Sequence, residues 1–353
     1  MLFMDGRVTI RGVAAHAGVS VATVSKVLNE RWGVAPETRD RVRTAIQQLG
    51  YQASLVAQGL ASGRTGVVGI LVADFGSFAA ELVQGAVEAL HGNEYELVVY
   101  SACKSGAEAA GWERRYLSRL AGTIIDGAIL VTPTIESVEH GPPVVAVDPL
   151  TRQSEMPTVF SDNLRGAVLA VEHLLALGHR RIGHVAGRAG LQSAALRMQG
   201  YRDALERAGI PVDESLIRPG GYTSTAALAS ARELLTAAEP PTAIFAAGDR
   251  SALATYKCAA ELGIRIPDQL SVVGFNNIPE SALVHPGLTT VAQAIRDMGK
   301  TAVETLLATI AKQPVAQVAV VPTQLIVRGS TAPPKPARAT TKSPPIPRPR
   351  AVQ

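Results

Sequence analysis

Ala14-Ala15-His16-Ala17-Gly18-Val19-Ser20-Val21-Ala22-Thr23-Val24-Ser25 is the stretch that decides how this 353-residue chain begins to fold. Apolar residues recur on both sides of Gly18 at three- and four-residue spacing, so two short helices meet there. Glycine can take the positive φ that a sharp helix–turn–helix needs. Thr9 can cap the first helix, which runs to about Ala17. Ser20 can cap the second, Val21–Leu28, its hydroxyl accepting from first-turn amides. A third helix is expected over Pro36–Leu49. Proline suits its first position and Glu37 its positive end, while Ala35 at the cap offers no acceptor. Val13, Ala14, Ala17, Val24, Val27, Leu28, Val42, Ile46 and Leu49 supply a miniature helical core.

With Val24, Val27 and Leu28 turned inward, the second helix presents Val21, Ala22, Ser25, Lys26 and Asn29. Small side chains at its start let the backbone approach a DNA major groove. There Val21 or Ala22 can meet a thymine methyl, and Lys26 can donate to guanine O6 and N7. Thr9, Ser20, Ser25 and Asn29 suit phosphate contacts, which set register without reading sequence. The plain alternative is a helical hairpin with an incidental polar face. Charge leans towards the first reading: residues 1–64 carry a net +4 and 331–353 a net +5, leaving 65–330 at −5. A basic head on an acidic body suits approach to a polyanion by the head alone.

Ser54–Gly63 has a cap, an amphipathic turn or two and a glycine stop, too short to hold a helix alone in water. It reads either as a hinge that folds on DNA and wedges Leu60 into the minor groove or as a flexible linker. From residue 66 short β-branched runs alternate with helical segments. The strands are Val67–Ala73, Glu96–Ser101, Gly127–Val131, Val144–Asp148, Arg181–Gly187, Ala243–Ala247 and Ser271–Phe275. The helices lie near 79–91, 107–121, 163–177, 193–208, 225–238, 250–262 and 293–311. Such alternation implies parallel sheets covered on both faces, and its length suits two lobes with a ligand cleft between them. The expected organisation is therefore α/β. An all-α helix-turn-helix headpiece (1–52) and a hinge (53–65) precede a two-lobed core of parallel sheets (66–330) and a disordered Pro-rich basic tail (331–353). That tail holds seven prolines and no leucine, so it lacks a heptad seam for zipping dimers into tetramers.

Other functions fit poorly. No run is long and apolar enough for a membrane span, and the start MLFMDGRVTI lacks the pattern of an export signal, which points to the cytoplasm. Cys103 and Cys258 are isolated, as buried small side chains in a reducing compartment would be. His173, His179 and His184 lack metal-ligand spacing and suit surface or helix-end roles, so neither metal nor cofactor is expected. Gly183–Gly190 is not a GxGxxG loop and reads as a tight turn on the ligand side. No GxSxG or GKS/GKT motif supports an enzyme. A solute-binding protein on the same core is the main rival, opposed by the headpiece and the missing export signal.

Val8–Leu60, with ValThrIle, AlaGlyValSerValAlaThrValSer, ProGluThrArg and LeuGlyTyr, resembles the lactose-repressor (LacI/GalR-type) family of bacterial regulators. The likeness continues through ValGluHisLeuLeuAlaLeuGlyHisArgArgIle at 171–182, SerValValGlyPhe at 271–275 and ProGlyLeuThrThrVal at 286–291. It implies a core like the periplasmic sugar-binding proteins and a homodimer that reads a pseudo-palindromic double-stranded operator. It implies control of that binding by a small-molecule effector, a sugar or a relative of one, most often in a repressor. By position it makes Val21, Ala22 and Lys26 base readers and Leu60 the intercalating leucine. It assigns effector contacts to the Asp74–Phe78 loop and to Asp148, Phe160, Asp162, Arg197, Tyr222, Asp249, Asn276 and Gln293. The chain departs from the family pattern at Lys26 (more often arginine), Gly12, Ala53, Gly248 and Asn276 (a frequent aspartate).

Overall fold

Val13, Val24 and Val42 lie at the centre of a miniature core closed by three helices. The computed structural model describes residues 3–4, 7–28, 30, 32–51, 64–102, 111–121, 124–151 and 154–335. A two-residue antiparallel pair, β1 (Phe3–Met4) and β2 (Arg7–Val8), leads into α1 (Ile10–Ala17), α2 (Val21–Leu28) and α3 (Pro36–Leu49). The caps follow the local chemistry. Thr9 Oγ1 accepts from the Gly12 amide at 3.2 Å and Ser20 Oγ from the Thr23 amide at 3.1 Å, while Ala35 makes no side-chain cap. Gly18 sits at φ 63°, the left-handed conformation that the turn requires. Asn29, the hinge residues 53–63 with Leu60, Cys103 and residues 336–353 lie outside the described residues.

The core has two six-stranded sheets. One orders β13 (Val318–Val321), β7 (Thr158–Ser161), β6 (Val144–Val147), β5 (Gly127–Val131), β3 (Val67–Val72) and β4 (Glu96–Ser101), all parallel. The other orders β14 (Gln324–Ile326), β12 (Thr289–Ala292), β11 (Ser271–Asn276), β10 (Ala243–Ala246), β8 (Ile182–Ala186) and β9 (Ile217–Pro219), with only β14 antiparallel. Side-chain alternation explains the double cover. On β3, Val68, Ile70 and Val72 face α4 (Ser77–Leu90) and α11 (Ile295–Ile310), whereas Val67 and Leu71 face α5 (Trp112–Leu120). The second sheet lies between α6 (Asn163–Ala176) with α7 (Gln192–Arg207) and α8 (Ser224–Leu235) with α9 (Asp249–Glu261). The chain passes between lobes after β7, after β12 and after β13, and the second of these crossings lines the cleft through Gln293.

Every expected strand and helix of the core is present, with ends shifted by a few residues. The expectation omitted the short β7, β9, β12, β13 and β14 and the one-turn α10 (Glu280–Leu283). Two boundaries need correction. Thr65 belongs to the core, because its amide, its hydroxyl and the Gly66 amide all bond to the Asp126 carboxylate. Residues 331–335 are not a free tail. The Thr331 hydroxyl meets His173 Nε2 at 2.9 Å, and the Ala332 carbonyl meets His179 Nε2 and Ser271 Oγ at 3.0 Å. Of the expected surface or helix-end roles only the second fits His179, buried just past α6 with its amide on the Leu174 carbonyl, and neither fits His184, which is buried within β8. His184 stacks between Tyr201 and Phe245, with ring centroids 4.9 and 5.0 Å away, and its Nδ1 bonds the Phe245 carbonyl. Cys258 is buried and unbridged. Among the described residues no helix is long and apolar enough to cross a membrane.

Helices α4 and α11 cross at backbone distance. A Cβ on Gly85 would fall 2.0 Å from the Arg296 carbonyl oxygen, and one on Gly299 would fall 2.2 Å from that of Leu82. Gly85→Ala is therefore expected to destabilise the fold by roughly 1–3 kcal/mol, the usual cost of overpacking, read as a lower urea midpoint. An unchanged midpoint would show that the helices part without cost. Burial lowers the pKa of His184 to about 4, against 6.5 when free. The unfolded chain thus takes up a proton between these values that the fold rejects. The corresponding stability is present above pH 6.5 and is lost as pH falls towards 4, by roughly 3 kcal/mol in all. His184→Phe should flatten this acid limb in denaturation curves taken between pH 7 and pH 4.5; an identical pH slope would refute the assignment.

Candidate functional site

On the headpiece, Val24 and Val27 are buried, so the helical period turns Val21, Ala22 and Lys26 outward, and all three are exposed. Ser25 is half-buried. The hydroxyls of Thr9 and Ser20 are engaged as helix caps, so any phosphate contact there would share an oxygen already accepting from an amide. Lys26 borders a shallow concavity between α2 and the residues leading into α3.

The second site is a cleft of about 260 Å³ between the lobes, where the C-terminal ends of both sheets meet. Of the ten expected effector residues, Asp74, Phe78, Asp148, Arg197, Tyr222, Asp249, Asn276 and Gln293 line it. Phe160 and Asp162 do not. Phe160 lies on β7 beside Val320 of the sheet's edge strand. Asp162 sits at the first crossing, where its carboxylate caps α6 by accepting from the Arg165 amide and its carbonyl accepts from Thr323.

Arg197, 3% exposed, organises the cleft. Its Nε donates to Asn163 Oδ1 at 2.8 Å, and its Nη1 donates to the Ala247 carbonyl at 2.5 Å and to Asn276 Oδ1 at 3.2 Å. The guanidinium carbon lies 3.8 Å from the Phe275 ring centroid and 5.7 Å from that of Tyr222. Among the described residues no carboxylate pairs with it within 4.0 Å, and its Nη2 makes no hydrogen bond. Two donors are thus left for a guest.

Asp148 closes the opposite wall. Its Oδ2 accepts from Ser193 across the lobes at 3.1 Å, and its Oδ1 is buried without a partner. Burial pushes its pKa up, against the pull of Arg197 and of the Ser193 bond. Gln293, at the second crossing, is fully buried with both amide atoms unpartnered, and the Tyr222 hydroxyl also makes no hydrogen bond. Buried polar groups of this kind cost free energy when unpaired, and a ligand or water would satisfy them. Asp249 is different. Its carboxylate accepts from the Thr290 hydroxyl and the Ile278 amide, so it braces the wall, and burial raises its pKa to about 7. Thr132, Asp148, Tyr222 and Asn276 all line the cleft at positive φ, a concentration of backbone strain typical of binding sites.

Sequence reasoning missed several participants. Ser193 and Asn163 hold Asp148 and Arg197, and neither carries a motif of its own. Arg188 also lines the cleft, within the turn read as ligand-facing from its glycines. Two weaker contacts cross the cleft mouth: Ser77 Oγ donates to Glu280 Oε1 at 3.0 Å, and Arg250 lies 3.9 Å from Asp74.

Known proteins share both parts of this arrangement. The family described as "Bacterial regulatory proteins, lacI family" matches residues 9–54, and the "Periplasmic binding protein-like domain" matches 171–331. Over 328 residues the chain is 36% identical to the ribose operon repressor of Halalkalibacterium halodurans, covering 92% of this chain and 97% of that one. It is 33% identical over 331 residues to the HTH-type transcriptional repressor CytR of Escherichia coli, with 92% and 96% covered. The solved lac repressor dimer bound to operator and the anti-inducer ONPF matches with a TM-score of 0.82 at 29% identity, covering 92% of this chain and 99% of that one. The complex of transcriptional regulator CelR with cellobiose matches at 0.67 and 33% identity, covering 92% and 100%.

Gln293 offers a direct check. Gln293→Leu removes two unsatisfied buried atoms at nearly constant volume, so the ligand-free protein should gain about 1–3 kcal/mol. The same change should abolish stabilisation by any ligand that raises the wild-type melting temperature. A variant that melts lower when ligand-free and still responds to ligand would show that Gln293 serves the fold alone.

Proposed function

The chain belongs to the lacI family of bacterial regulatory proteins, and on that premise we propose a dimeric repressor whose hold on a pseudo-palindromic operator is set by a small polyhydroxylated metabolite in the cleft. It is a sequence-specific DNA-binding transcriptional regulator. In this reading Val21, Ala22 and Lys26 read bases, Thr9, Ser20, Ser25 and Asn29 meet phosphates, and Leu60 wedges a central base step. The protein works in the cytoplasm and binds its effector without transforming it.

The observation that carries the effector reading is the set of unsatisfied groups around one buried guanidinium. Arg197 has donors to spare, Asp148 Oδ1 has acceptor capacity, and Gln293 offers both, which suits adjacent hydroxyls on a compact ring. The Tyr222 ring supplies a face for stacking. The ligand touches both lobes, because Asp148 and Phe78 belong to the first while Arg197, Tyr222 and Asn276 belong to the second. Its binding free energy therefore biases the angle between them. In a dimer that angle sets the spacing of the two headpieces, and with it the fit to two half-sites.

The test starts from duplexes enriched by the full-length protein from a random-sequence pool, screened for release by sugars and nucleosides. Arg197→Ala should bind the enriched duplex within about threefold of wild type and lose the effector response, since the clamp lies in the cleft and not in the headpiece. A folded Arg197→Ala protein that responds at wild-type effector concentrations would overturn the cleft assignment. Failure to enrich any duplex would overturn the DNA reading itself.

A further inference from the structure

Trp32 is 95% exposed, more than any other large apolar side chain among the described residues. It stands in the loop between α2 and α3. Burial of so large a side chain against a partner is among the stronger contributions a single residue makes to recognition. The other exposed large apolar residue of the headpiece is Val21, the first residue of α2, at 40%. Both are sequence neighbours of residues that line one feature, the shallow concavity containing Ala22 and Lys26 from α2 and Gly33 and Thr38 from the loop and α3. The loop runs close to the reading helix, since a Cβ on Gly33 would lie 3.9 Å from Lys26 Nζ. Gly33 itself holds φ at 93°, a backbone turn that other residues rarely adopt.

The chemistry of this concavity favours one occupant. Its floor offers an ammonium group and the hydroxyls of Ser20, Thr23 and Thr38, and it lies beside the N-terminal end of α3, where Ala35 provides no side-chain cap. Those groups suit a phosphate-bearing strand, and the exposed indole of the residue before Gly33 suits the apolar face of a deoxyribose. The surface is continuous with the exposed face of Val21, Ala22 and Lys26.

We propose that Trp32 is a further DNA-contacting residue, packing its indole against the sugar–phosphate strand at the edge of the major groove that α2 enters. The proposal rests on the DNA-binding reading above and adds a residue that neither the helix–turn–helix pattern nor the base-reading positions include. Its contribution is apolar. It strengthens binding without neutralising a phosphate, so it leaves the salt dependence of affinity unchanged.

The two tryptophans of the chain make the test direct. Trp112 is 3% exposed inside the first lobe, so it gives a constant background, and Trp32 reports the headpiece. Full-length protein is titrated with the duplex enriched from the random pool. The free protein should show a long-wavelength emission component from Trp32. Saturating duplex should quench it and shift it to shorter wavelength, and this change should be absent in Trp32→Phe. Trp32→Ala should weaken binding about tenfold, the scale of losing one large buried apolar contact, with the slope of log affinity against log salt kept. Three outcomes would overturn the proposal: Trp32 emission unmoved at saturation, emission already at short wavelength in the free protein because the protein covers it, or undiminished affinity in Trp32→Ala. If no duplex is enriched, the DNA-binding reading has failed and this proposal falls with it. An enriched duplex bound equally by wild type and Trp32→Ala removes only the role of Trp32.

Discussion

A buried guanidinium with no carboxylate within 4.0 Å among the described residues is the constraint around which the effector cleft is built. Taking Arg197 out of water is costly, and the second lobe offsets part of that cost with dipoles: an asparagine oxygen at the first crossing, a backbone carbonyl after β10, and a second asparagine at the end of β11. Phe275 closes its face. These partners come from three separate elements, so the position of Arg197 ties the crossing, the strand ends and α7 together. The remaining positive field is answered through space by Asp148 across the cleft, whose own burial opposes its ionisation. The two lobes thus hold opposite halves of one incompletely satisfied electrostatic arrangement, and a polar guest completes it.

The rest of the fold keeps that arrangement both firm and hinged. Within each lobe the central strands are buried on both faces, and α4 packs on α11 through two glycines that remove any side chain from the contact. Such packing resists deformation. Between the lobes the connections among the described residues are slighter: three chain crossings, the Ser193–Asp148 bond, the Gln192 amide donating to the Leu150 carbonyl, and two contacts at the mouth involving exposed side chains. Rigid bodies joined by few bonds turn a ligand's binding energy into a change of angle rather than a diffuse softening. Asp162 and Gln293 sit at two of these crossings, which explains their different roles. Asp162 spends its carboxylate capping α6, while Gln293 is left with both amide atoms open.

The headpiece was almost fully legible, because its signals are local. Gly18, Thr9 and Ser20 act within four residues of themselves, and the three-four spacing of Val24 and Val27 alone settles which side of α2 faces outward. The long central strands were equally clear as β-branched runs. The strands that escaped notice, β7, β9, β12, β13 and β14, have three or four residues each, too few for an alternation to stand out. The histidines misled for another reason. His184 is a polar residue in the middle of a strand, and aromatic rings brought from α7 and β10 make its site an apolar one.

By itself the sequence determined the element types, the all-helical head followed by alternating strands and helices, the outward face of α2 and, through family likeness, ten effector positions of which eight line the cleft. Tertiary structure alone decided the chemistry of those positions. Asp148, Asp162 and Asp249 are the same side chain in the sequence. One keeps a lone oxygen for the cleft, one caps a helix at a crossing, and one is consumed by Thr290 and Ile278. The same holds for the first residues after Ser330, which read as a proline-rich tail and are held by His173, His179 and Ser271. The physical reason is common to all of these. Periodicity and capping are set by neighbours in the chain, whereas the partners of a buried polar group come from elements far apart in sequence, and only folding brings them within hydrogen-bonding distance.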